Sequence, residues 1–319
     1  MEKAKVFKAL SKAKQVLEQK GYRVFAVVLQ GSQNYELDLY TEAYSSDVDC
    51  KAFVFPTFED VYTGNKTSKT YQVSDPETGL EQVEVKDLRL LPELVGKGNP
   101  SYLELLATDY VLTSYKTEWE KLRTFLTPLL ETRTMLFANA TYGMAKEKEK
   151  ALCHPYPATA HKVEQFGYDP KQLHHIVRLR MMLEATAATG FSTLALVPQE
   201  KEYLLELKKG VLSLEEAKEL TEVEVAKLKV LKETVTQTPT SEVLYELESV
   251  VRAFVKSAVA AEFAFVPQGT SAIGYKGPLH GLPTPVRQFV KENHPEVNEK
   301  HMVEVLEHRK YELFNFWEK

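Results

Sequence analysis

Six consecutive apolar side chains, Val24 to Leu29, run up to Gly31, and a strand that is apolar at every position is buried on both faces. Such a segment reads as the central strand of a sheet. The residues around it agree with that frame. Lys3 to Lys20 carry Val6, Leu10, Val16 and Leu17 at helical spacing and stop at Gly21, a good helix-terminating residue. Asp47 to Phe55 opens with alternation, which puts Asp47, Asp49 and Lys51 on one face and Val48, Cys50 and Ala52 on the other.

Two further strand segments, Lys69 to Ser74 and Leu80 to Lys86, flank Asp75-Pro76-Glu77-Thr78-Gly79, whose proline and glycine suit a hairpin turn. In the second arm Val83 and Val85 face one way, and Gln82, Glu84 and Lys86 the other. Asn99-Pro100 supplies an N-cap and an N1 proline for a helix through Leu103, Leu105 and Leu106. Beyond about Leu112 helical spacing dominates: Trp119 to Leu130, Arg133 to Leu152, Pro170 to Thr189, Glu200 to Leu207, Leu214 to Val235 and Ser241 to Ala264, with Ser213 and Glu216 spaced as a capping box. Gln268 to Pro285 is rich in glycine and proline and reads as a loop before a helical tail, Val286 to Trp317. The expected class is α+β: a mixed β-sheet domain with flanking helices over residues 1–112, a mostly α-helical domain over 113–266, and a loop with a helical tail over 267–319. A chain of 319 residues has room for about two such domains.

Composition narrows the function classes. The net charge of −5 argues against a generally cationic nucleic-acid wrapper, though not against a local basic groove. The two cysteines, Cys50 and Cys153, build neither a disulfide scaffold nor a four-cysteine zinc site. The N-terminal stretch lacks the apolar core of a secretion signal, and the longest apolar window, Ala258 to Val266, is broken by Glu262 and is too short to span a membrane. A cytoplasmic protein without a membrane partner is the expectation.

The chemistry-bearing stretch is Gly31-Ser32 at the end of one strand, a connector of thirteen residues, and Ser46-Asp47-Val48-Asp49 opening the next. Carboxylates two apart on a strand can converge on the same divalent ion. A third acid on a neighbouring strand completes the all-oxygen set that Mg²⁺ or Mn²⁺ takes. Glu84 is the expected third ligand, with Asp87 and Glu81 as alternatives. Glycine lets a backbone approach a triphosphate, and the serine hydroxyl and amide can donate to its oxygens. Lys171, His175 and Arg178 fall at i, i+4 and i+7, a cationic stripe suited to a leaving pyrophosphate. Lys146 to Lys150 reads as a solvated helix face. Cys153-His154 with His161 lacks a fourth metal ligand and reads as a loop, which also contains Lys162, a candidate for phosphate contact.

The run Gly31-Ser32-Gln33-Asn34-Tyr35-Glu36-Leu37 followed by Ser46-Asp47-Val48-Asp49 resembles the signature of the DNA polymerase beta-like nucleotidyltransferase superfamily. More narrowly it is similar to the bacterial and phage predicted nucleotidyltransferases that include an RNA-repair-associated branch. Val83-Glu84-Val85, Asp87-Leu88-Arg89-Leu90-Leu91, Asn99-Pro100 with Leu103-Glu104-Leu105-Leu106, and Tyr168-Asp169-Pro170-Lys171 with His175 and Arg178-Leu179 match further motifs of that branch. The connector Asp38 to Ser45 departs from the family in being more polar. The resemblance implies transfer of a nucleoside monophosphate from an NTP with release of pyrophosphate. It also implies metal ligation and catalysis by Asp47, Asp49 and Glu84, and nucleotide contacts from Gly31, Ser32, Asn34, Lys171, His175 and Arg178. An RNA such as a tRNA 3′ end is the first acceptor to test, ahead of a protein or small molecule. Two other classes remain beside it: a non-catalytic, antitoxin-like binding protein and a metal-dependent phosphohydrolase. Neither base preference nor oligomeric state is encoded in a motif of this kind.

Overall fold

The computed structural model describes residues 3–40, 46–157 and 159–264, with side chains to residue 261. The expected loop and tail over 267–319 lie outside the described residues. Among the described residues, those up to Pro56 and from Lys66 to Lys256 form one compact unit, and Thr57–Asn65 with residues 257–264 form a second. In the second unit the short helix α2 (Phe58–Tyr62) starts at a capping box in which Thr57 Oγ1 accepts from the Asp60 amide and Asp60 accepts from the Thr57 amide.

The first unit opens with α1 (Lys3–Gln19), followed by β1 (Arg23–Gln30) and β2 (Val48–Phe55), and then by the hairpin β3 (Ser68–Asp75) and β4 (Leu80–Asp87). After α3 (Leu91–Gly96) and α4 (Pro100–Ala107) comes the three-residue β5 (Val111–Thr113). The mixed sheet has the order β3-β4-β2-β1-β5, with β1 antiparallel to both its neighbours and β2 parallel to β4. The apolar run therefore lies inside the sheet, as its pattern demands.

One face of the sheet is closed by α1, whose Val6, Ala9, Leu10, Ala13 and Leu17 are buried against Val27, Leu29, Val48, Cys50, Ala52, Val83 and Val85. Alternation then turns Asp49 and Lys51 of β2, with Gln82, Glu84 and Lys86 of β4, to the opposite face. At its far end that face is apolar, where Phe25 packs against Phe55, Tyr115 and Trp119 at ring-centroid distances of 5.3, 5.6 and 6.1 Å.

Helices continue with α5 (Lys116–Arg123), α6 (Leu126–Thr132), α7 (Thr134–Ala151), α8 (Ala160–Phe166), α9 (Pro170–Ala188), α10 (Lys201–Lys209), α11 (Leu214–Thr234) and α12 (Glu242–Ala264). The expected single helix Trp119 to Leu130 is two. Pro128 has no N–H and its ring crowds the carbonyl of Thr124, so the helix breaks at Thr124 and Phe125. The expected loop around Lys162 is in part the helix α8, too short to show periodicity, and it ends at Gly167 with φ 80°. Ser213 and Glu216 form the expected capping box of α11. Among the described residues no helix is long and apolar enough to cross a membrane.

Sheet and helices are joined by a buried polar knot. Glu104 on α4, 3% exposed, accepts from Tyr35 Oη at 2.5 Å and from Arg178 Nη1 of α9 at 2.9 Å. The guanidinium lies 3.9 Å from the Tyr35 ring centroid. A carboxylate this deep is tolerable only while it is paired and hydrogen-bonded. Arg178→Met is expected to cost about 3–5 kcal/mol in urea unfolding by stranding that charge, and adding Glu104→Gln is expected to recover part of the loss. A single substitution as mild as a surface change would show that the knot does not hold the two layers.

Candidate functional site

β1 ends in Gly31 at φ 115°, a left-handed conformation that glycine adopts without strain. The chain then winds through one short 3₁₀ turn, Ser32–Tyr35, and leaves it at Glu36 with φ 57°. Three bonds fix this turn. Asn34 Nδ2 donates to the Leu29 carbonyl at 2.8 Å, Asn34 Oδ1 accepts from Thr108 Oγ1 at 2.7 Å, and Gln33 Nε2 donates to the Asp47 carbonyl at 2.8 Å. The Gly-Ser turn is thereby tied directly to the start of β2. Asn34, expected to contact nucleotide, instead spends both ends of its amide on the protein: an asparagine 7% exposed must satisfy its polar atoms locally.

Asp47 is partly exposed, and Asp49 stands between Gln30 of β1 and Gln82 of β4 in the sheet register. Asp49 Oδ1 is buried and has no hydrogen-bond partner in the protein. Burial, and next the charge of Asp47, push the Asp49 pKa up to about 6, against smaller opposing effects of Lys171 and a Gln82 hydrogen bond. This pair fits a divalent cation: two carboxylates, one oxygen unsatisfied, with the charge of Asp47 raising the cost of ionising Asp49.

Glu84 shares the face but not the position. Its register partner is Lys51, whose ammonium it accepts, and Lys86 Nζ lies 2.8 Å from its other oxygen. Lys51 is 5% exposed and also sits 4.7 Å from the Tyr102 ring centroid. Against burial, which acts the other way, the two lysines hold the Glu84 carboxyl below its ordinary range. Glu84 is thus neutralised one step along the strand from Asp49, and among the described residues no three His, Cys, Asp or Glu side chains are grouped to hold a metal ion. Of the alternatives, Asp87, 1% exposed, pairs with Arg89 at 2.7 Å, while Glu81 accepts from Ser74 Oγ at 3.3 Å and its charge adds to those that raise the Asp49 pKa.

The expected cationic stripe resolves into three different roles. Lys171 Nζ lies 4.0 Å from Asp47 Oδ1. His175 is pushed well below the usual histidine pKa, first by burial and then by His174, Arg178 and Lys171, so it is neutral at pH 7. Arg178 belongs to the Glu104 knot. Seven residues along a helix is a rise of about 10 Å, which carries the stripe away from the carboxylates and under α4.

The structure puts other cations where the sequence did not. Lys148 of α7, Lys162 of α8 and Lys208 of α10 all feel Lys171, and all three are pushed below the lysine norm, first by burial. Lys208, at about 8, donates to the Leu37 carbonyl at 2.8 Å and to Ser46 Oγ at 3.2 Å, clasping both ends of the connector. Its signal was present: Lys208 follows Leu204 by four residues and so lies on the apolar stripe of α10. Lys148, inside an alternating Lys/Glu run, carried none. Three helices thus deliver Lys162, Lys171 and Lys208 to Asp47, Lys148 of a fourth acts on Lys171, and His174, 1% exposed and unbonded at both ring nitrogens, feels Lys171 and Lys208.

No family model and no curated protein matches the chain. A solved structure with some likeness to it is that of a nucleotidyltransferase-like protein from Exiguobacterium sibiricum 255-15, at 13% identity over 79% of this chain and 91% of that one, with a TM-score of 0.27. A likeness this slight carries no argument for fold or activity.

Because the folded chain holds the Asp49 proton more tightly than the unfolded chain does, Asp49 contributes a fall in stability as pH rises from about 4 to about 6, which His174 and His175, lowered by burial below the usual histidine pKa, oppose. Asp49→Asn is expected to remove that fall and to stabilise the protein at pH 8 by about 2 kcal/mol in urea titrations. A destabilised variant at pH 8 would contradict the strained carboxylate.

Proposed function

We propose that the chain is a metal-dependent nucleotidyltransferase that moves a nucleoside monophosphate from an NTP to an acceptor hydroxyl and releases pyrophosphate. The observation that supports it is the pairing of Asp47 and Asp49, with the orphaned Asp49 Oδ1, and a set of lysines drawn from α7, α8, α9 and α10. Carboxylates alone suit a cation and lysines alone suit an anion. Both together, beside a Gly-Ser turn, suit a metal-bound polyphosphate.

In this reading Gly31 and Ser32 receive the β- and γ-phosphates through backbone and hydroxyl donors. Lys171, with Lys148, Lys162 and Lys208 near it, offsets the charge that builds on pyrophosphate as it departs, an effect of donors already in place before reaction. Mg²⁺ or Mn²⁺ on Asp47 and Asp49, when bound, would supply charge neutralisation at the reacting phosphate and the lowered pKa of an acceptor hydroxyl. Glu84, held by Lys51 and Lys86, orders the strand face rather than adding a third ligand. The acceptor to test first is an RNA 3′ end such as that of a tRNA, followed by a protein hydroxyl and a small molecule.

The test supplies each α-labelled NTP with Mg²⁺ or Mn²⁺, total RNA and cell lysate, beside an Asp47→Asn, Asp49→Asn double variant. Label on an acceptor with stoichiometric pyrophosphate, lost in the double variant, is the expected result. Orthophosphate in place of pyrophosphate would indicate a phosphohydrolase, and nucleotide binding without turnover a binding protein. Lys171→Met is expected to lower kcat by about 10²-fold, the scale for removing one preorganised charge donor, and to raise KM for the NTP.

A further inference from the structure

Tyr40 stands in the connector between the Gly-Ser turn and the carboxylate strand, 43% exposed. Its Oη and the Asp47 carbonyl share one donor: Gln33 Nε2 lies 3.4 Å from the first and 2.8 Å from the second. A single amide nitrogen therefore sets a solvent-reachable phenol beside Asp47, the residue just before β2. Gln33 is itself 4% exposed, which fixes that nitrogen in place. Partial burial, and then the Asp38 and Asp47 charges against an opposing hydrogen bond from Gln33, raise the Tyr40 pKa, so the group is a neutral hydroxyl at pH 7. The nearby Ser46 hydroxyl is not equivalent: it is 2% exposed, accepts from the Leu39 amide at 3.0 Å and is held by Lys208.

We propose that Tyr40 is a self-modification site, the acceptor of a nucleoside monophosphate that the chain takes from an NTP. This rests on the nucleotidyltransferase reading of the same carboxylates. The bond from Tyr40 Oη to the α-phosphorus forms as the bond from that phosphorus to the bridging oxygen of the β-phosphate breaks. Pyrophosphate leaves with the electrons of that bond, and the phenolic proton passes to the solvent that reaches the ring. The product is a tyrosyl phosphodiester, formed with no reactant beyond the NTP.

The full chain is incubated with each α-labelled NTP and Mg²⁺, with γ-labelled NTP in parallel, without added acceptor. Peptide mass mapping then follows, and pyrophosphate is measured in a second set containing RNA, lysate protein or small-molecule acceptors. The expected result is α-label, and no γ-label, on the peptide that contains Tyr40, lost in Tyr40→Phe and in Asp49→Asn. Tyr40→Phe is also expected to keep its thermal midpoint and its pyrophosphate release with an external acceptor. Label on another residue, label undiminished in Tyr40→Phe, or pyrophosphate release to external acceptors with Tyr40 unmodified would overturn the Tyr40 assignment alone. Absence of both label and pyrophosphate in every mixture would overturn it together with the nucleotidyltransferase reading.

Discussion

Glu104 carries its negative charge almost without water, and the arrangement of everything near the site follows from how that charge is met. Tyr35 comes from the turn after β1, Glu104 from α4 and Arg178 from α9, so three segments far apart in sequence meet at one carboxylate. Removing any partner leaves a polar group buried and unmet, a larger penalty than the pair gains by forming. The knot therefore specifies position more than it adds stability. It sets the register between the Gly31 turn and α9, and that register decides which α9 side chains reach the carboxylates. Lys171 does, and Arg178 cannot.

On the far side of the turn the electrostatics have the opposite character. In the knot the carboxylate is met by a hydroxyl and a guanidinium. Around Asp47 and Asp49 charges of both signs are gathered: burial and the Asp47 charge raise the cost of ionising Asp49, and the neighbouring Lys148, Lys162 and Lys208 are depressed by burial and by the charge of Lys171. Such a site is destabilising in isolation and gains from a ligand that brings both a cation and an anion. Glu84 marks the boundary between the two regimes. Its charge is spent on Lys51 and Lys86, one register step from Asp49, so the strand face passes from a reactive end to a closed end within two residues.

Much of the fold was legible because its signals are local. The apolar run Val24 to Leu29 demanded an interior strand, alternation from Asp47 separated the acids from the core, and Asn99-Pro100 and Ser213 with Glu216 announced helix starts through their own side-chain chemistry. What was not legible depends on distant partners. Helical spacing put Lys171, His175 and Arg178 on one face but not what that face meets. Asn34 looked available because Thr108, which takes its oxygen, lies 74 residues away. Glu84 looked like a ligand because the lysine opposite it is set by strand register, which alternation alone leaves open. Lys148 and Lys208 reach the site only through the packing of α7 and α10 on α9.

The central claim is that one site, bounded by the Gly31 turn, the Asp47 and Asp49 carboxylates and the lysines of the helices, takes a metal-bound nucleoside triphosphate. A crystal structure with Mn²⁺ and an NTP whose α,β-bridging oxygen is replaced by a methylene group tests it most directly. The account predicts anomalous density between Asp47 and Asp49, with the terminal phosphates lying between the Gly31-Ser32 amides and Lys171. Manganese held by Glu84 with Lys51 displaced, or a nucleotide bound elsewhere on the chain, would contradict it.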